Sequence, residues 1–147
     1  LPNLRYTTFL QDELVAVVHT GSKLSLPDEI TLEDLSRIPL VLRERGSGTL
    51  DVFERALSEH NMKLSSLNVL LYLGSTESIK LFLEHTDCIG IVSIRSISRE
   101  LLSGTFRVIE IKGMPMLREF CFAQPQGQES GLSQVLMQFA MHHNKKL

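Results

Sequence analysis

The stretch at residues 41–60, VLRERGSGTLDVFERALSEH, decides the fold class because it predicts a strand, a glycine-rich turn and a helix in succession. The apolar run at residues 40–42 predicts a strand that begins after Pro39. The turn Gly46-Ser47-Gly48-Thr49 follows, with small hydroxyl side chains beside glycines. From residue 50 to residue 60 the apolar side chains share one helix face; they are Leu50, Val52, Phe53, Ala56 and Leu57. What the turn binds depends on how many such units the chain contains and where they point.

The same strand–turn–helix unit recurs twice further along the chain. NVLLYL at residues 68–73 predicts a strand buried on both faces, since its apolar residues do not alternate with polar ones. Gly74-Ser75-Thr76 then turns into a helix whose inward side chains are Ile79, Phe82 and Leu83. CIGIV at residues 88–92 predicts a third buried strand, after which Ser93 caps a helix that ends at Gly104.

Further elements flank these units. ELVAVVHT at residues 13–20 predicts a strand, and Thr31 with Asp34 caps a short helix. Residues 106–111 and 118–123 predict two more strands, and residues 132–143 predict an amphipathic helix. Strands that alternate with helices at this spacing predict an α/β domain with a largely parallel sheet.

Composition and charge restrict the classes of function. With 147 residues of which 43% are apolar, the chain can bury one core or two small cores that share a sheet. A net charge of -2, with no basic run longer than Lys145-Lys146, predicts that the chain does not bind nucleic acid by itself. No apolar run approaches the roughly 20 residues that span a bilayer, and no signal peptide is visible. Because the chain opens on Leu1-Pro2, we expect a fragment of a longer protein.

The two cysteines stand apart in apolar surroundings. Cys88 lies in DCIGIVS and Cys121 lies in EFCFAQ, without a CxxC spacing. Small apolar thiols pack well in protein cores, so we expect two buried free thiols. A disulfide stays open, since it depends on whether the fold brings the two residues together.

The three predicted turns share a position at which parallel α/β sheets bind ligands, outside the carboxyl ends of strands. The residues that these turns contribute are Ser47, Gly48, Thr49, Ser75, Thr76 and Ser93. Free backbone N–H groups and the helix dipole suit an anion such as a carboxylate, sulfate or phosphate. Ordinary helix capping uses the same residue types and can explain any one turn. Three turns at one edge favour a small-ligand cleft.

Motifs for catalysis or nucleotide binding are missing from these turns. A phosphate-binding loop needs GxxxxGK followed by Ser or Thr, whereas GSGT continues into Leu50 and Asp51. A nucleophile elbow needs a residue between its first glycine and the serine, whereas Gly46 adjoins Ser47. No GxGxxG occurs, and the histidines are scattered: His19, His60, His85, His142 and His143. We therefore predict no catalytic residue, no cofactor and no metal site.

Five segments follow one another in a distinctive order: DELVAVV, ITLEDLSRIPLVLRERGSGT, LGSTESIK, CIGIVS and RELLSGTFRVIEI. In this order they closely resemble the effector-binding domain of LysR-type bacterial transcriptional regulators. The resemblance extends from about residue 9 to the C-terminus. It implies a periplasmic-binding-protein-like (type 2) α/β fold with two subdomains joined by two hinge strands, near residues 17–20 and 109–113.

The resemblance also implies how the subdomains divide the chain. Residues 19–111 would form subdomain II, and residues 1–18 and 112–147 would form what remains of an incomplete subdomain I. The family's helix-turn-helix domain, linker helix and opening strands have no counterpart in this chain. One wall of the family's cleft, a turn rich in serine and threonine, belongs to that absent part. The site in this chain would therefore be half a site.

The function implied by the resemblance is effector sensing rather than catalysis. The cleft-facing positions would be Ser47, Gly48, Thr49, Ser75, Thr76 and Ser93. Arg43 could add a cationic partner for a small anionic metabolite. A cytoplasmic regulator of this family would self-associate as a dimer or tetramer, contact DNA only through its N-terminal helix-turn-helix, and have no membrane partner. A solute-binding protein of the same fold and a small hydrolase with Ser47 as nucleophile stay open as alternatives.

Overall fold

The computed structural model describes residues 4–125, and the side chains of residues 12–118. The chain forms two compact units: Glu13–Leu117 is one, and Leu1–Asp12 with Arg118–Leu147 is the other. All three predicted ligand-binding turns belong to the larger unit, Glu13–Leu117. The helix predicted at residues 132–143 lies outside the described residues. The subdomain boundaries at residues 18–19 and 111–112 stay a prediction.

The elements alternate as the sequence predicts. The strands are β1 (Leu4–His19), β2 (Glu29–Ile30), β3 (Leu40–Arg43), β4 (Val69–Leu73), β5 (Ile89–Ser93), β6 (Phe106–Ile111) and β7 (Met116–Pro125). The α-helices are α1 (Leu32–Leu35), α2 (Thr49–Glu59), α3 (Thr76–His85) and α4 (Ser98–Ser103). Short 3-10 helices occupy Leu64–Ser66 and Ile94–Ile97.

The strands form one mixed sheet in the order β2-β6-β1-β5-β3-β4, with β7 paired to β1. β3 pairs in parallel with both β4 and β5, and β2 pairs in parallel with β6. β1 runs antiparallel to its neighbours β5 and β6. Strands β2 to β6 therefore all point the same way, which confirms the α/β prediction, and β1 is the antiparallel member between them.

Two apolar clusters pack on opposite faces of the sheet. Successive side chains of a strand point to opposite faces, so Leu14, Ala16 and Val18 of β1 enter one cluster while Val15 and Val17 enter the other. The inward face of α2 fills the first cluster, and that of α3 fills the second. Helices thus cover both faces, as expected for a sheet whose central strands are buried on each side.

Strand β4 departs from the prediction that it is buried on both faces. Its side chains alternate between partly buried and exposed, and Leu70 and Tyr72 are 44% and 46% exposed. The strand ends the sheet order, next to β3 alone. Apolar side chains alone therefore did not reveal whether a strand is central or at the edge, because burial depends on what packs over it.

The predicted helix caps are present. The Thr31 hydroxyl accepts from the N–H of Asp34 at 3.0 Å, and the Asp34 carboxylate accepts from the N–H of Thr31 at 3.2 Å. Gly104 ends α4 in the left-handed region with φ of 76°.

The helix predicted after Ser93 is split into a 3-10 turn and α4. The Ser96 hydroxyl donates to the carbonyl of Ser93 at 2.7 Å, and the Ser98 hydroxyl donates to the carbonyl of Arg95 at 3.0 Å. Such local bonds from serine side chains compete with regular helix bonds, which accounts for the split.

Candidate functional site

The three predicted turns lie side by side. They follow β5, β3 and β4, which are adjacent and parallel. Because the carboxyl ends of parallel neighbours meet at one edge of a sheet, the residues after these strands share that edge. The turn after β3 is the middle one, since β3 lies between the other two strands. The N-termini of α2 and α3 therefore both lie at this edge.

The turn after β3 presents backbone N–H groups at the start of α2. Gly46 and Gly48 have φ of 95° and 78°, a region that favours glycine because it lacks a Cβ. The Ser47 hydroxyl accepts from the N–H of Leu50 at 3.4 Å. The N–H groups of Gly48 and Thr49 make no hydrogen bond with any described residue. The N-cap of α2 is Gly48, so Ser47 accepts one N–H of the first turn from outside the helix, and two further donors remain available.

Arg43, the last residue of β3, bonds to the turn after β4. Its guanidinium donates from Nη1 to the Thr76 hydroxyl at 3.4 Å and from Nη2 to the carbonyl of Gly74 at 3.3 Å. Ser75 caps α3, because its hydroxyl accepts from the N–H of Ser78 at 3.1 Å. Five of the residues predicted from the sequence, all except Ser93, thus lie in the turns after β3 and β4, and Arg43 of β3 bonds to the second of these turns.

Ser93 lies beside a different feature. Its hydroxyl accepts from the N–H of Arg95 at 3.3 Å. The next residue, Ile94, lines a cavity of about 520 Å³ between β1 and β6 that also contains Glu13, Glu110 and Lys112. None of the six residues predicted from the sequence lines this cavity. The strands that bound it are far apart in sequence, so no local motif marks it.

Two groups with shifted pKa values, Asp87 and Cys88, lie outside the three turns. Burial, followed by the charge of Asp87, raises the pKa of the Cys88 thiol to about 11. The N–H of Lys23 and then the hydroxyl of Ser22 lower the pKa of Asp87 by donating to its carboxylate. Cys88 is a buried free thiol, as predicted, and stays neutral near pH 7. The side chain of Cys121 lies outside the described residues.

The described residues show no base beside Ser47. The ring of His60 faces the carbonyl oxygens of Ala56 and Gly113 at 3.0 and 2.9 Å, and the ring of His19 accepts from the N–H of Gly21 at 3.0 Å. The Ser47 hydroxyl is engaged by the N–H of Leu50. A serine nucleophile requires a base within hydrogen-bonding distance, so this geometry does not favour the hydrolase alternative. None of the described helices is long and apolar enough to cross a membrane.

Residues 1–145 match the family model described as the LysR substrate binding domain. The chain belongs to the LysR substrate-binding domain family. Membership confirms the resemblance drawn from the order of motifs. The transcriptional activator CmpR from Synechocystis sp. is 30% identical over 97% of this chain and 46% of its own length. This LysR substrate-binding domain thus spans less than half the length of that regulator.

The chain is also similar to a solved regulatory domain and to part of a transport ATPase. The regulatory domain of Synechocystis CcmR, solved in complex with 2-PG, superimposes with a TM-score of 0.73 and 25% identity, over 99% of this chain and 69% of that one. The phosphonates import ATP-binding protein PhnC from Anaeromyxobacter dehalogenans is 32% identical over 80% of this chain but only 23% of its own length. This LysR-family chain contains no GxxxxGK motif, so the second similarity does not bring ATP binding with it.

Proposed function

We propose that this chain is the effector-sensing part of a LysR-type transcriptional regulator, and that it binds a small anionic metabolite at the edge shared by the three turns. The residues in contact with the metabolite would be Ser47, Gly48, Thr49, Ser75, Thr76 and Ser93. The observation that carries the proposal is that α2 and α3 begin side by side at one edge, next to a cation, in a domain of this family.

The chemistry of the edge supports an anion over a neutral or cationic ligand. Each helix N-terminus carries about half a positive charge together with unpaired N–H groups. α2 offers the N–H groups of Gly48 and Thr49, and α3 begins one strand away at Thr76. The Thr76 hydroxyl accepts from Arg43, which leaves its own proton free to donate to a ligand. Hydroxyl and N–H donors from two helices would therefore converge on one anionic group.

The mechanism of sensing would be a shift between two arrangements of the subdomains. In this proposal, residues 19–111 move relative to residues 1–18 and 112–147 about the hinge strands. An effector can shift such an equilibrium only by the difference between its affinities for the two states. In the complete cytoplasmic regulator, the shift would reorient the N-terminal helix-turn-helix domains on DNA and so change transcription.

Self-association is part of the proposal, with a second copy of the chain as the partner. β4 ends the sheet order and exposes Leu70 and Tyr72. An edge strand offers unpaired N–H and C=O groups to another strand. Two copies could pair through β4 about a two-fold axis, since each would present the same surface to the other. The pairing would cover part of the exposed surface of Leu70 and Tyr72.

Titration calorimetry on this chain tests the anion site, with sulfate, phosphate and 2-PG as probes. We expect at least one probe to bind, and Thr49→Ala and Ser75→Ala each to weaken it about tenfold, since a hydrogen bond to a charged group contributes about 1.5–3 kcal/mol. Ser65→Ala, an exposed serine in the 3-10 helix after α2, is the matched control and should bind as the wild type does. The proposal fails if no probe binds, or if folded Thr49→Ala and Ser75→Ala bind as tightly as Ser65→Ala.

A further inference from the structure

Arg43 is a partly buried cation without a carboxylate partner. Five other described cationic side chains pair with acids: Arg37–Glu33, Arg45–Glu54, Lys80 with Glu77 and Glu100, Arg107–Asp28 and Arg118–Asp12. Within the described part of the chain Arg43 forms no ion pair, and its polar contacts are the hydroxyl of Thr76 and the carbonyl of Gly74. Its Nε is buried and has no hydrogen-bond partner.

The position of Arg43 makes this lack of a counter-charge costly. The residue ends β3, directly before the turn into α2, and its guanidinium contacts the first residue of α3. The N-terminus of a helix repels a cation, so two such termini disfavour the guanidinium. A buried N–H without an acceptor costs further free energy. The first of these costs falls when an anion occupies the edge.

The acids around Arg43 do not supply that counter-charge directly. Glu44 is the next residue along the chain, but its carboxylate lies toward Gly74, 3.5 Å from where a Cβ on that glycine would be. Asp51 and Glu77 lie in the first turns of α2 and α3 and are exposed, so water and salt screen them. None of the three lies within ion-pair distance of the guanidinium. None of these three carboxylates therefore neutralises the guanidinium by direct contact.

We propose that Arg43 selects the charge of the effector, so that the site prefers an anionic group with two negative charges, such as a sulfate or a phosphomonoester, over a group with one. This inference rests on the proposed function and adds the ligand class to it. Arg43 contributes one positive charge, and two helix termini contribute about half a charge each, which together amount to about two. A dianion matches that sum, whereas a monocarboxylate leaves about one positive charge uncompensated.

The test compares sulfate with methanesulfonate, which are both tetrahedral sulfur oxyanions but carry two charges and one charge. For the wild-type chain we expect sulfate to bind at least about tenfold more tightly than methanesulfonate. Arg43→Gln keeps hydrogen-bond donors but removes the charge, so it should lose most of this preference. Arg43→Lys keeps the charge without the planar fork, so it should retain most of it. Arg55→Gln removes an exposed charge on α2 and is the matched control.

The outcomes separate the two proposals. A wild-type chain that binds sulfate and methanesulfonate equally overturns the role of Arg43, whether or not its variants fold. A preference that persists in Arg43→Gln overturns it too. If Arg43→Lys loses the preference as fully as Arg43→Gln, Arg43 acts by holding Gly74 and Thr76 and not by its charge, which also overturns it. The proposed function stands, whatever the outcome for Arg43, if the wild type binds sulfate and Thr49→Ala binds it more weakly. If the wild type binds neither probe, the proposal for Arg43 fails, whereas the proposed function fails only if phosphate and 2-PG do not bind either.

Discussion

His60 ties the end of α2 to the turn that follows β6, because its Nε2 lies 2.9 Å from the carbonyl oxygen of Gly113. The other ring nitrogen, Nδ1, lies 3.0 Å from the carbonyl oxygen of Ala56 within the same helix. Gly113 has φ of 71° and starts the segment that carries Met114 into the cluster under α2. The side chain of His60 thus connects α2, which begins at the proposed site, with the turn that follows β6.

Removing this connection should lower stability without unfolding the protein. For His60→Ala we expect the free energy of unfolding to fall by about 0.5–1.5 kcal/mol, since a ring N–H donated to a carbonyl contributes about that much and His60 is exposed to water. Urea titration followed by circular dichroism measures the change. His85→Ala is the control, because His85 is exposed at the end of α3 and its removal should lower the free energy of unfolding by less. Equal stability of the two variants would contradict the role given to His60.

Gly90 allows α3 to lie close to β5. A Cβ at this position would meet Cγ2 of Ile79 at 3.0 Å and Cδ1 of Leu83 at 3.1 Å, and both side chains are buried. Gly90→Ala should therefore destabilise the fold by about 1–3 kcal/mol, the usual cost of overpacking a core. Gly74→Ala serves as the comparison in thermal melts, since its Cβ would meet only Glu44, at 3.5 Å. An unchanged melting temperature for Gly90→Ala would show that α3 can move away from the sheet.

Cys88 should be unreactive in the native state. Its side chain is fully buried, and its pKa is raised to about 11. In a Cys121→Ser background, a thiol reagent at pH 8 should label Cys88 only after denaturant is added. Native-state labelling as fast as that of the unfolded chain would contradict the buried position.

The raised pKa of Cys88 also predicts how the free energy of unfolding depends on pH. Because the folded pKa of about 11 lies above the ordinary value of 9.0, the unfolded chain loses this proton first as the pH rises. The contribution of Cys88 to stability is therefore fully present below pH 9.0 and declines as the pH rises toward 11. Urea unfolding of the Cys121→Ser variant across this range, compared with Cys88→Ala in the same background, measures it. Parallel stability curves for the two variants would refute the prediction.

Self-association through β4 should be sensitive to charge on its exposed face. Tyr72→Glu places a carboxylate on the edge strand, at a side chain that is 46% exposed, and should shift sedimentation toward the monomer. Leu102→Glu changes a side chain of α4 that is 90% exposed and should leave the sedimentation profile unchanged. If both variants behave like the wild type, β4 is not the surface through which two copies meet.

Features that depend on neighbours in sequence could be predicted. Capping by Thr31, Ser75 and Ser93 involves bonds to residues two or three positions away, so the residue types and their spacing suffice. The helix face of α2 follows from its period in the same way, and its inward residues Phe53 and Leu57 are fully buried. The order of the motifs was also enough to recognise the family.

Features that depend on strand order could not be predicted. Exposure of Leu70 and Tyr72 follows from β4 being at the edge, which the apolar run NVLLYL does not disclose. Arg43 reaches Thr76 across 33 positions of the chain, so its role as a bridge became visible only with β3 and β4 paired. The cavity beside Ser93 joins β1 to β6, which lie at opposite ends of the larger unit's sequence.

By itself, the sequence determined most elements of this protein, their caps and the family to which the chain belongs, because these depend on local hydrogen bonds, on side-chain periodicity and on the order of motifs. Only the tertiary structure decided which strands are neighbours, which apolar strand lies at the edge, and which turn Arg43 contacts. The physical reason is that hydrogen bonds between strands and packing between layers join residues that are distant in sequence, and a local pattern does not specify its partner.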